Sequence, residues 1–62
     1  MHIRSRREAA AQAGISVSTL KRLEAAGEFP ARVQVSPNRI GYVLEEVERW
    51  IAERVAERDS VA

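Results

Sequence analysis

The stretch from Glu8 to Glu28, EAAAQAGISVSTLKRLEAAGE, constrains this chain more than any other. Ser5 and Glu8 stand three apart in the pattern of a capping box, so a helix is predicted to start there and to run through the alanines to about Ala13. Ala9, Ala10 and Ala13 share one side of it at three-to-four spacing, a small-residue face on which another helix can lie close. Gly14 should end it, because glycine alone enters the left-handed region without a steric penalty, and Ile15 should tuck beneath the turn. Ser16 then caps a second helix from Val17 to about Ala26, stopped by Gly27 with Pro30 shortly beyond. Leu20 and Leu23 mark its inward side. Two short helices held at a tight turn, with a polar face left open on the second, make a helix-turn-helix.

The chain has 62 residues, room for one domain and one small core, since a chain this short buries only about 60% of its unfolded surface. It has no cysteine, so neither a disulfide nor a thiolate metal site can brace that core. No apolar run approaches the roughly 20 residues that span a bilayer, and the start MHIRSRREAA lacks the apolar middle of a signal peptide. The expected location is the cytoplasm. The net charge of +1 hides a strong polarity. Residues 1–43 carry seven Lys or Arg against three Glu, a net +4, whereas residues 44–62 carry three Arg against six acids, a net −3. A basic front that meets phosphate and an acidic back that avoids it is the reading this suggests.

Before the first helix, Met1 to Arg4 should be extended, with Ile3 its one anchor. After Pro30 the sequence alternates through Arg32, Val33, Gln34 and Val35, turns at Pro37-Asn38, and returns through Arg39, Ile40, Gly41 and Tyr42. A short hairpin is predicted, with Val33, Val35, Ile40 and Tyr42 inward and Arg32 and Gln34 outward. From Leu44 the spacing is helical again, with Val47, Trp50, Ile51 and Val55 on the buried side and Glu45 placed to pair with Arg49. Glu53 with Glu57 and Arg54 with Arg58 are like-charged neighbours, so the last turns should fray, and Asp59 to Ala62 carries no packing signal. The expected fold is mostly α with a small β-hairpin: a single winged helix-turn-helix domain over residues 1–62, with an ordered core of about 3–58.

The residues suited to chemistry lie on the basic front. Ser16, Ser18 and Thr19 put short hydroxyls at the start of the second helix, where free amides and the dipole favour an anion. Lys21 and Arg22 have the reach for phosphate or a guanine edge, and the sequence leaves open which of them reads a base. Arg32, Gln34, Asn38 and Arg39 would give the wing a backbone grip, and Arg4, Arg6 and Arg7 are candidate phosphate contacts. The plain alternative for each group is a solvated polar surface. Catalysis finds no support: Glu45 and Glu46 point about 100° apart on a helix, and a Tyr42 nucleophile would need a positioned cluster of basic residues, whereas the only histidine is His2 at the terminus. No metal, cofactor or phosphate-cradling glycine loop is expected.

The segments GISVSTLKRLEAAGEFP, SPNRIGY and EEVERWIAER, in that order, resemble the AlpA family of small prophage regulatory proteins. That family is grouped with the MerR-like winged helix-turn-helix domains, which include phage excisionases. The resemblance runs from about Ile3 to Arg54. It implies DNA binding through the second helix and the wing, in a transcriptional regulator or a recombination directionality factor of an integrated element. It carries a DNA-facing role onto Ser16, Ser18, Thr19, Arg22 and Arg39. The chain departs from the family pattern at Lys21, in place of an aromatic, at Tyr42, in place of tryptophan, and at Ala9, in place of a larger aliphatic. Val43 and Leu44 also lack the polar residues expected where the last helix starts. The partners implied are double-stranded DNA with direct or repeated sites, an integrase or RNA polymerase, and further copies head to tail on DNA. A competing reading is an adaptor that uses the last helix to bind a recombinase or regulator without reading DNA.

Overall fold

Ser5 and Ser16 start the two central helices as the sequence predicts. The computed structural model describes residues 2–60, with side chains as far as Arg58. Its elements are β1 (Ile3–Arg4), α1 (Arg6–Ala13), α2 (Val17–Ala25), β2 (Val33–Ser36), β3 (Arg39–Val43) and α3 (Leu44–Ser60). At the front of α1, Ser5 Oγ accepts the Glu8 amide at 3.1 Å and Glu8 Oε1 accepts the Ser5 amide at 2.9 Å, the complete capping box. The Ser5 amide, and after it the Ser5 hydroxyl, hold the Glu8 carboxyl below its ordinary range. Ser16 Oγ accepts the Thr19 amide at 3.1 Å and caps α2.

Both helices end in the same way. The amides of Gly14 and Ile15 return to the carbonyls of Ala11 and Ala10, and those of Gly27 and Glu28 to Glu24 and Leu23. This crossed pattern needs a left-handed residue, and Gly14 and Gly27 supply it at φ of 73° and 75°. The turn between α1 and α2 is therefore fixed by backbone geometry.

The core consists of Ala9, Ala10, Leu20, Phe29, Tyr42 and Val47, flanked by Ala13, Ile15, Val17, Leu23, Trp50 and Ile51. Phe29, which by sequence belongs only to a connecting segment, is buried between two other rings. It meets Tyr42 edge-on at 5.8 Å and Trp50 at 5.0 Å. Aromatic pairs at such distances add to the area they bury, which suits a core too small to rely on aliphatics alone. α2 packs mainly on α1, while the sheet packs on α1 and α3.

Three expectations are corrected. The sheet has three strands in the order β1-β3-β2, because Ile3 and Arg4 pair antiparallel with Val43 and Tyr42. The hairpin does not bury all four of its apolar residues. Its register sets Val33 opposite Gly41 and Gln34 opposite Ile40, with an irregularity at Val35 before Ser36 meets Arg39. Paired residues share a face, so Val33 lies on the Gly41 side and Ile40 and Tyr42 on the other. Tyr42 is fully buried, and Val35 is half exposed. Finally, Val55 is exposed, as are its neighbours from Ala52 to Arg58, because α3 runs past the end of the core. α3 is helical to Ser60, and residues 61 and 62 of the segment expected to lack packing lie outside the described residues. Among the described residues no helix is long and apolar enough to cross a membrane.

Candidate nucleic-acid interface

On α2, residues 18, 21, 22 and 25 fall on one face at the i, i+3, i+4, i+7 spacing, and Ser18, Lys21, Arg22 and Ala25 are all exposed. Leu20, fully buried, holds the opposite side against the core. Ser16 is exposed and Thr19 half-buried. Their hydroxyls are joined to each other, with Ser16 Oγ donating to Thr19 Oγ1 at 2.9 Å. The free face of α2 is thus one hydroxyl, two long cations and a small residue.

The wing carries Arg32, Gln34, Asn38 and Arg39, each exposed. Pro37 sets the φ that the first position of a tight turn requires, and Asn38 keeps a negative φ beside it. Gln34 Nε2 donates to the carbonyls of Ser36 at 3.1 Å and Pro37 at 3.2 Å. Its amide braces the turn from within, leaving Asn38 and Arg39 at the tip. The positive charge of Arg39, like that of Arg4, reaches Glu8 at the front of α1. Arg4 and Arg7 are exposed beside it, and Arg6 is half-buried.

Arg6 is half-buried because its Nε donates to the Tyr42 hydroxyl at 3.3 Å. That hydroxyl in turn donates to Glu24 Oε1 at 2.6 Å, and Glu24 Oε2 accepts the Arg32 amide at 3.1 Å. The Arg32 guanidinium approaches the same oxygen at 3.6 Å. Arg6, Lys21 and Arg32, predicted from three separate parts of the chain, therefore line one shallow depression with Glu24. Burial and the Glu24 carboxylate push the Tyr42 phenol above its ordinary pKa. Glu24 did not stand out in the sequence, and Tyr42 did so only as a core residue and a rejected nucleophile. The available signal was Glu24 at position i+4 from Leu20, an acid on the inward stripe of α2, which calls for a partner in the interior.

A tight two-helix unit with an exposed basic stripe on its second helix, a hairpin beside it and a third helix behind defines a winged helix-turn-helix protein. Residues 2–55 match the family described as Prophage CP4-57 regulatory protein (AlpA), and the chain belongs to that family. Membership makes it a phage-associated DNA-binding regulator, of a family that is not one of enzymes. Compared with curated proteins one by one, the chain gives no significant match.

Proposed function

We propose that the chain is a sequence-specific regulator of a phage or integrated element that reads double-stranded DNA with α2 in the major groove and grips the adjacent backbone with its wing. The observation that carries this reading is the free stripe of Ser18, Lys21 and Arg22, opposite the buried Leu20, on a helix held by two glycine turns. Arg22 is the bidentate donor suited to a guanine edge, and Lys21 a point charge for phosphate or base. Ser16, Ser18 and Thr19 bring the helix front close to the backbone. In the wing, Asn38 and Arg39 reach outward, Gln34 shapes the turn, and Arg32 with Arg4, Arg6 and Arg7 adds positive charge.

One module of this size buries only about 600–1,000 Å² on DNA, so repeated sites occupied head to tail, or a bound integrase or RNA polymerase, would supply the remaining affinity. The output is excision, as a directionality factor, or control of transcription, and a cytoplasmic protein at the nucleoid serves either. Titrating labelled duplexes at several salt concentrations tests the reading. Arg22→Ala and Arg39→Ala should each flatten the log-log salt slope by about 0.9 for every phosphate no longer neutralised. A protein that binds no duplex at low salt would instead favour the adaptor, for which the groove between the Phe29–Val33 segment and α3 is the available surface.

A further inference from the structure

We propose that Glu24 is the positioning residue that fixes the wing against the reading helix and so sets the spacing between contacts made by α2 and contacts made by the hairpin. The inference rests on the DNA-binding reading above. α2 packs mainly on α1, while the hairpin packs on α1 and α3, so the two DNA-facing elements have little direct backbone packing between them. The Glu24 carboxylate bridges that gap. Its Oε1 takes the hydroxyl of Tyr42 in β3 at 2.6 Å, and its Oε2 takes the amide of Arg32, the residue leading into β2, at 3.1 Å. One side chain of α2 thereby holds β3 and the residue that leads into β2.

The bridge is stiff for physical reasons. Hydrogen bonds to an ionised carboxylate are shorter and about twice as strong as neutral ones, and this carboxylate lies in a site where its side chain is only 11% exposed. Tyr42 has no freedom to follow a moving hydroxyl, because its ring is fully buried against Phe29. Lys21 precedes Glu24 by one helical turn and lines the same depression, so a tilt at Glu24 moves the reading stripe directly. Arg6, which donates to the same Tyr42 hydroxyl, ties the start of α1 to the bridge. A glutamine at position 24 keeps an oxygen for the Arg32 amide, but its Nε2 would have to donate to a Tyr42 hydroxyl that already accepts from Arg6 Nε, so the charge-assisted bond that pins β3 is lost.

The test is a double-mutant cycle between Glu24→Gln and Arg39→Ala. It is read as affinity and salt slope on a labelled duplex enriched from a random-sequence pool by the unaltered protein. In the unaltered protein, Arg39→Ala should weaken binding by about tenfold, and in the Glu24→Gln background by less than about twofold, because a wing no longer held in place has little left to give. Glu24→Gln alone should flatten the salt slope by about 0.9 for each wing phosphate released. Tyr42→Phe, which keeps the ring in the core, should reproduce the loss of coupling and covers the case in which Glu24→Gln fails to fold. Equal cost of Arg39→Ala in all backgrounds overturns the proposal. So does a Glu24→Gln protein with a lower melting temperature but unchanged affinity and slope per folded molecule, the result of a purely structural role. If Arg39→Ala has no effect even in the unaltered protein, the wing reading fails and the inference falls with it.

Discussion

Nδ1 of His2 lies 3.0 Å from Oε2 of Glu45, joining residues 43 apart in sequence at the point where α3 begins. Val43, directly before that helix, has no side-chain oxygen with which to cap it. The start of the chain supplies the cap instead: the Leu44 amide donates to the His2 carbonyl at 2.7 Å, and the His2 amide reaches Glu45 Oε1 at 3.4 Å. Glu45 thus turns to His2 rather than pairing with Arg49.

The contact makes the fold sensitive to acid. The hydrogen bond from His2, and then the backbone amide of Glu45 itself, hold the Glu45 carboxyl down at about 2. A carboxyl whose folded pKa is depressed contributes stability that is present above its unfolded value and lost as pH falls through the folded one. Denaturation midpoints should therefore fall as pH drops from the ordinary Glu range, about 4.3, toward 2. Glu45→Gln should start lower and lose less over that window. Glu8, also depressed, titrates in the same direction, so Glu8→Gln belongs in the series.

Tyr42 works at the other end of the scale. Its pKa is raised, so the stability it contributes is complete below the ordinary phenol value near 10 and is lost as pH rises through the folded value. Tyr42→Phe should cost about 1–3 kcal/mol near neutrality, because it leaves Glu24 short of a donor. It should also remove this phenol's share of the alkaline loss. Urea melts from neutral pH into the alkaline range check both statements.

Gly41 lies under a crossing of side chains. A Cβ there would collide with Ile3 Cγ2 and stand 3.2 Å from the Arg4 carbonyl and 3.3 Å from Val35 Cγ2. Gly41→Ala should destabilise by about 1–3 kcal/mol, a fall in Tm of about 4–8 °C for each kcal/mol. Adding Ile3→Ala should restore part of that, since it removes the colliding methyl but leaves the Arg4 carbonyl in place. An additive pair of losses in thermal melts would argue against this packing.

Trp50 is anchored by more than its ring. Its Nε1 donates to the Glu28 carbonyl at 2.7 Å, and the Arg54 guanidinium lies over the ring at 4.7 Å. Trp50→Ala should cost about 3 kcal/mol, at the low end for such truncations because the residue is only half-buried. Arg54→Ala should cost about 0.5–1 kcal/mol and shift the indole emission, the mark of a cation removed from the ring face.

What could be read in advance was local. The limits of α1 and α2 follow from Ser5, Glu8, Gly14, Ser16 and Gly27, each of which acts on backbone within a few residues, and all appear where expected. The facing of the hairpin was harder. Val33, Val35, Ile40 and Tyr42 alternate alike, but the pairing of Val33 with Gly41 assigns Val33 and Tyr42 to opposite faces, and pairing is not written within either strand. β1 is two residues long and exists only because β3 offers an edge. Helical periodicity through Val55 was real, but periodicity cannot say where the rest of the molecule stops. At the candidate interface the exposed cations were legible as types. The link of Arg6 to Glu24 through Tyr42 was not, since it joins residues 36 and 18 positions apart, nor was the direct bond from the Arg32 amide to Glu24.

The pairing of β1 with β3 bears on the order of assembly. α1 and α2 can form and dock through contacts close in sequence, whereas Ile3 and Arg4 must wait for partners about 40 residues away. β1 is therefore expected to join late, after the barrier to folding has been crossed, which folding and unfolding rates of variants would check. Changes at His2, Ile3 or Glu45 should hasten unfolding and leave the folding rate almost untouched, while loss of the Ser5 or Ser16 caps slows folding itself. The strand that finishes the sheet and caps α3 is then the first part of the molecule to let go.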